Sequence, residues 1–171
     1  MSLRNPAIKI IDRCEREIDE IEDLLYDFLP FARKRLKFMS FPLIYLVSDK
    51  YNSEKALGKT AYYDPDINSV TIFVDGRHTK DILRSIAHEL VHHRQNEKGK
   101  FRNLKGIGEP GYAQNNQYLR KMEEEAYLLG NMCFRDWEDQ YKETNYNSEV
   151  NEHTEESVFD ALKNYFTKGT Y

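Results

Sequence analysis

The sequence predicts an α+β domain: a small, mainly antiparallel or mixed sheet packed on one chemistry-bearing helix, with long helices in the N-terminal region and the C-terminal half. Three observations carry that prediction. Residues 8–28 and 116–141 repeat apolar side chains at intervals of three and four, the period of a helix with one face in a core. Three short β-prone runs lie between residues 43 and 74, separated by turn-forming residues. Directly after them residues 80–96 read KDILRSIAHELVHHRQN, helical in period, with no proline or glycine until Gly99.

In chain order, Asn5-Pro6 has the form of a helix start, a side-chain cap followed by proline where a missing N–H costs nothing. Ile8, Ile11, Cys14, Ile18, Ile21, Leu25 and Phe28 then form one apolar stripe, so residues 1–38 are expected to be a helical region bent or broken at Pro30. Arg33, Lys34, Arg35 and Lys37 near its end read as a solvated cationic face. Leu43–Val47, Lys59–Tyr63 and Ser69–Val74 are expected strands, the last two joined by the turn signal Asp64-Pro65-Asp66-Ile67-Asn68. The helix that follows should be capped by Thr79. Residues 96–116 hold Gly99, Gly106, Gly108, Pro110 and Gly111 and read as an irregular loop. A second long helix is expected from Asn116 to Tyr141. The polar stretch 142–156 reads as loop, and 157–166 as a short terminal helix. All of this is expected to form a single domain, 1–171, with 41–141 as its functional core and 142–171 as a tail.

Composition narrows the function classes. A net charge of -4 gives no general attraction to nucleic acid, and no nucleic-acid-binding motif is present. A mean hydropathy of -0.78 and the absence of an apolar run near the ~20 residues of a membrane span predict a soluble chain without a membrane role. Charges interrupt Ile8–Ile11, so no secretory signal is read, and a cytoplasmic location is expected. Cys14 and Cys133 stand singly at apolar helical positions, as free thiols in a reducing compartment do.

The chemistry is concentrated in His88-Glu89-Leu90-Val91-His92, an HExxH pattern. A helix turns about 100° per residue, so two imidazoles four apart stack on one face and can grip one cation. Glu89 points to a neighbouring sector, within reach of a water on that cation. Ile82, Leu83, Ile86, Ala87, Leu90 and Val91 fill the opposite arc and anchor the helix. These are the parts of a zinc hydrolase: ligands His88 and His92, and Glu89 as general base for a metal-activated water. One Zn²⁺ per chain would need a third ligand from another element. On the second long helix Leu119, Met122, Ala126, Leu129, Gly130, Cys133 and Trp137 mark the core-facing arc. Glu123 lies about 60° from Ala126, Glu125 about 100° on the other side, and Glu124 about 160° away, facing water. Glu123 is therefore the expected third ligand, with Glu125 the alternative. Ala126 and Gly130 are small enough to let the two helices approach near the metal. Tyr112, His78 and His93 are candidates to contact the substrate or stabilise an oxyanion, although His93 falls near the buried side of its helix.

With these residues in place, the chain resembles the gluzincins, zinc metallopeptidases with HExxH on one helix and a glutamate on the next. Glu123-Glu124-Glu125-Ala126 is similar to the ExxA segment of small members such as the ImmA/IrrE-like peptidases and the minigluzincins. ILRSIAHELVHHRQ followed by EEEAYLLGN is similar to small metallopeptidases encoded by tailed phages. The resemblance covers roughly residues 59–137. It implies a zincin-like fold, hydrolysis of a protein or peptide substrate, and His88, His92 and Glu123 as ligands with Glu89 as base. It also implies a phage-particle or host-protein partner, in host cytoplasm or virion. Tyr127 stands where many relatives carry an Asp or Asn supporting a ligand histidine, so that support must come from elsewhere. The rival expectation is a zincin-like structural or interaction protein with little or no proteolytic activity.

Overall fold

The computed structural model describes residues 4–15, 17–55, 59–102 and 116–167, with side chains through 147. It is an α+β arrangement with four strands and four helices among the described residues. Two compact units divide the chain, Met1–Arg135 and Asp136–Tyr171. In the first, β1 (Ile10–Arg13), β2 (Leu43–Val47), β3 (Ala61–Asp64) and β4 (Ser69–Phe73) form one mixed sheet in the order β1-β2-β4-β3. The pairs β1–β2 and β2–β4 are parallel, and β3–β4 is an antiparallel hairpin. Among the described residues the order leaves β3 at one edge.

Helix α1 (Asp19–Leu36) packs on α3 (Thr79–Glu97), and α3 lies against β3 and β4. The core between these layers holds Leu25, Phe28 and Leu29 of α1, Ile44 and Leu46 of β2, Ile72 of β4, and Ile82, Leu83, Ile86 and Leu90 of α3, all buried. A one-turn helix, α2 (Lys50–Ser53), is capped by Asp49, whose carboxylate accepts the Asn52 N–H at 3.0 Å. Helix α4 (Gln117–Thr167) begins in the first unit and continues into the second. Within the second unit Trp137 and Tyr141 stack one turn apart, and Lys142 pairs with Glu138.

Four expectations are corrected. Residues 10–13 are a strand, not the first turns of a helix. Asn5-Pro6 closes a turn instead: the Asn5 side chain accepts the Ala7 N–H at 3.0 Å, and its carbonyl accepts from Ile8. The same residue chemistry serves a turn and a helix cap, and pairing of Ile10–Arg13 with β2 decides between them. Secondly, α1 runs unbroken through Pro30, because buried Leu25, Phe28, Leu29, Ala32 and Leu36 on both sides of it outweigh one lost backbone bond. Thirdly, residues 142–156 are helical: polarity alone does not end a helix, and no Gly or Pro lies between Gly130 and Gly169. Finally, the cap of α3 is His78, one residue before Thr79; its Nδ1 accepts the Lys80 N–H at 3.1 Å.

Cys133 is buried and Cys14 half-buried, and no disulfide joins them. No helix among the described residues is long and apolar enough to cross a membrane. The cationic residues Arg33 and Lys34 occupy the last turn of α1, where they complement the negative end of the helix dipole; Arg33 also covers the Phe41 ring at 5.3 Å.

Candidate metal centre

The hairpin β3–β4 feeds directly into α3, so α3 folds back across the strands and carries His88 and His92 over them. Helix α4 crosses close to α3 at Gly130. A Cβ built there would lie 2.9 Å from both the Cα and the N of His88 and 3.1 Å from the carbonyl carbon of Ala87. Glycine is thus required by close approach, and that approach delivers Glu123, two turns earlier on the same helix, to the histidine pair.

His88, His92 and Glu123 come together with one ligand atom from each, all within 4.8 Å of one another. The two Nε2 atoms are 3.1 Å apart. Glu123 Oε2 is 3.2 Å from His88 Nε2, and Glu123 Oε1 is 3.3 Å from His92 Nε2. Ligands about 2.0–2.1 Å from a tetrahedral ion stand roughly 3.3 Å from one another. The contact between the two imidazole nitrogens, and that of each with one oxygen of Glu123, is close to such an edge, and two imidazoles with a carboxylate are a suitable donor set for a divalent cation. Glu124 is exposed, as expected. Glu125 does not join the histidines; it pairs with Lys100 at 2.9 Å and Arg94 at 3.3 Å.

His92 is 7 % exposed and Glu89 8 % exposed, so charge on either acts in a poorly solvated place. Burial is the largest influence on Glu89 and pushes its carboxyl up, helped by the charge of Glu123. The histidines and a hydrogen bond from the Tyr63 backbone N–H pull the other way without cancelling it. A carboxyl held above its ordinary range is suited to accepting and returning a proton near neutrality. For His92, burial pushes the imidazole down; the Glu123 hydrogen bond, the charges of Glu89 and Glu123, and the Gln95 hydrogen bond reverse this, so the net shift is upward.

Gln95 had no role in the sequence reading. Its Oε1 lies 2.8 Å from His92 Nδ1, while its Nε2 donates to the Met122 carbonyl at 3.0 Å and to Glu125 Oε2 at 2.9 Å. It supplies the support that Tyr127, 70 % exposed, does not. The signal was present, since a residue three beyond a helical ligand lies on the same face. Glu125 is held ionised: burial pushes it up, but hydrogen bonds from Lys100 and Gln95 and the charges of Lys100 and Arg94 bring it below the ordinary carboxylate range.

The remaining candidates separate. Tyr112 lies outside the described residues. His78 caps α3 ten residues before His88, about 15 Å along the axis. His93 is corrected to a structural contact. It is buried, its Nε2 donates to the Ser40 carbonyl at 2.8 Å, and its Nδ1 meets the Tyr63 hydroxyl at 3.1 Å. Burial lowers its pKa, in keeping with a neutral ring. Both nitrogens are engaged away from the ligand cluster, so neither is available to an oxyanion.

Comparison of the chain with protein-family models, curated proteins and solved structures finds no match.

Proposed function

We propose that this chain is a zincin-like, zinc-dependent peptidase of the gluzincin kind, with His88, His92 and Glu123 as ligands and Glu89 as general base. The observation that carries the reading is the convergence of those three residues, with one ligand atom of each within 4.8 Å of the others, beside a buried carboxyl one residue along from His88. Zinc bound there would supply a polarising charge and an acidified water. Glu89 takes the proton of the attacking water on its carboxylate and returns it to the departing amine. Burial gives that carboxyl its proton affinity.

The edge strand supports a peptide as substrate. The Phe73 N–H donates to the Thr60 carbonyl, so residues 60, 62 and 64 face β4 in the antiparallel ladder. Ala61 and Tyr63 therefore turn their backbone groups away from the sheet, on the side where Glu89 meets Tyr63. An extended peptide adding to β3 would run past Glu89. Peptide-library digestion with wild type and Glu89→Gln, alongside zinc analysis, tests the proposal. Cleavage by wild type, lost in a variant that still binds zinc, is the expected result. Equal turnover by both refutes the base assignment, and zinc binding without cleavage by wild type favours the structural or interaction role.

A further inference from the structure

We propose that Gln95 is the positioning residue that makes His92 a ligand, by holding its ring in one tautomer, and that Glu125 and Lys100 keep Gln95 in that orientation. This rests on the metal reading above. The Gln95 amide nitrogen faces two acceptors, the Met122 carbonyl and Glu125 Oε2. Its oxygen is therefore the atom that faces His92 Nδ1 at 2.8 Å. An amide oxygen only accepts, so Nδ1 carries the hydrogen and the lone pair is left on Nε2. That is the nitrogen 3.1 Å from His88 Nε2 and 3.3 Å from Glu123 Oε1.

Glu125 cannot drift from Gln95, because Lys100 holds the same oxygen, Oε2, at 2.9 Å and Arg94 holds Oε1 at 3.3 Å. The relay Lys100–Glu125–Gln95–His92 joins the C-terminal end of α3 to α4 on the flank of the ligand cluster. Gln95 is 1 % exposed, so water cannot readily take the place of its amide. The amide is neutral, which matters: a carboxylate in its place would lie beside Glu125 and would have no N–H to offer it. The polar partner of the ligand is thus an amide at His92 plus three, and the acid on α4 acts one step further out.

The test compares Gln95→Leu, Gln95→Glu and the swap Gln95→Glu/Glu125→Gln with wild type and His88→Ala. Zinc affinity is measured by competition with a chromophoric chelator, and ligand geometry by the visible spectrum of the Co²⁺ form. Gln95→Leu should weaken zinc by about 10–100-fold and change the Co²⁺ spectrum, the usual consequence of losing an outer partner of a ligand histidine. Gln95→Glu should also weaken it, through the opposed carboxylates. The swap should recover part of the loss, because the new glutamate accepts from His92 Nδ1 and from the new amide, which in turn accepts from Lys100, while the Met122 carbonyl still lacks its donor. A merely structural glutamine predicts no such rescue. Unchanged affinity and spectrum in Gln95→Leu, or a swap no better than Gln95→Glu, overturns the inference. Equal zinc binding by wild type and His88→Ala would instead overturn the metal reading beneath it.

Discussion

Adding a single methyl group at Gly130 tests whether helix approach builds the ligand cluster. In Gly130→Ala the new Cβ would lie 2.9 Å from His88 Cα and N, and 3.1 Å from the Ala87 carbonyl carbon. Carbon contacts settle at about 3.5–4.0 Å, so α4 must retreat from α3 by roughly 0.5–1 Å. The obstructing atoms are backbone and cannot swing aside. Overpacking of this kind costs about 1–3 kcal/mol, while alanine's helix propensity returns about 0.8–1.0 kcal/mol. The net expectation is a modest loss, up to about 2 kcal/mol, in denaturant unfolding of the metal-free protein. Zinc binding should suffer more, since ligand distances tolerate only about ±0.2 Å and the retreat carries Glu123 with it. Competitive zinc titration should show at least a tenfold weakening, roughly 1.4 kcal/mol. If the metal-free variant gains about 1 kcal/mol and binds zinc as tightly as wild type, helix propensity alone is acting and the close-approach argument is wrong.

Other outcomes follow from single groups. Zinc at about 100 times its Kd should raise wild-type stability by about 2.7 kcal/mol and leave His88→Ala unchanged; equal responses in thermal melts would contradict the ligand assignment. Glu97 accepts from the Met39 and Ser40 N–H groups at 2.7 and 2.9 Å, and its pKa is lowered: burial pushes it up, and these bonds more than reverse that. Its contribution to stability is complete above its ordinary value of 4.5 and fades as pH falls through the lowered folded value. Metal-free Glu97→Gln should therefore lose less stability than wild type on acidification below about pH 5, whereas parallel pH profiles would exclude the effect. Lys37 ends α1 in the left-handed region at φ 60°, so Lys37→Gly should stabilise by about 1 kcal/mol, and a loss in urea unfolding would refute this. Arg77 donates to the Thr60, Phe73 and Asp81 carbonyls and to Ser85 Oγ, tying β3 and β4 to α3. Its replacement by leucine should cost about 2–4 kcal/mol; a change below about 0.5 would show that water replaces those bonds.

The parts that were legible in the residues are those that local rules govern. Leu43–Val47 alternates between half-buried and buried, as a β-branched run between turns should. The stretch around His88 is one uninterrupted helix because its apolar arc and lack of breakers agree. Spacing also placed Glu124 in water and put the small residue Gly130 at the helix contact. The first strand escaped notice because Ile8, Ile11 and Cys14 satisfy a helical period, and only parallel pairing with β2 selects the extended state. The polar run beyond Tyr141 was misread because a polar surface does not distinguish a loop from a solvated helix. His78 and His93 show the limit for sites: composition marks an imidazole as able to act, but its neighbours decide what it does.

On its own, then, the primary structure determined that two imidazoles and a carboxyl share one helix, because a 3.6-residue period is a property of the backbone. By angle on their own helix it favoured Glu123 over Glu125, but it could not place either one beside the histidines. Tertiary packing made that choice: the backbone contact at Gly130 brings Glu123 within 3.3 Å of His92, while Lys100 and Arg94 draw Glu125 aside. The same packing gave Gln95 its role and turned the Tyr63 N–H toward Glu89. Distances between segments far apart in the chain depend on how cores close, and no local period encodes them.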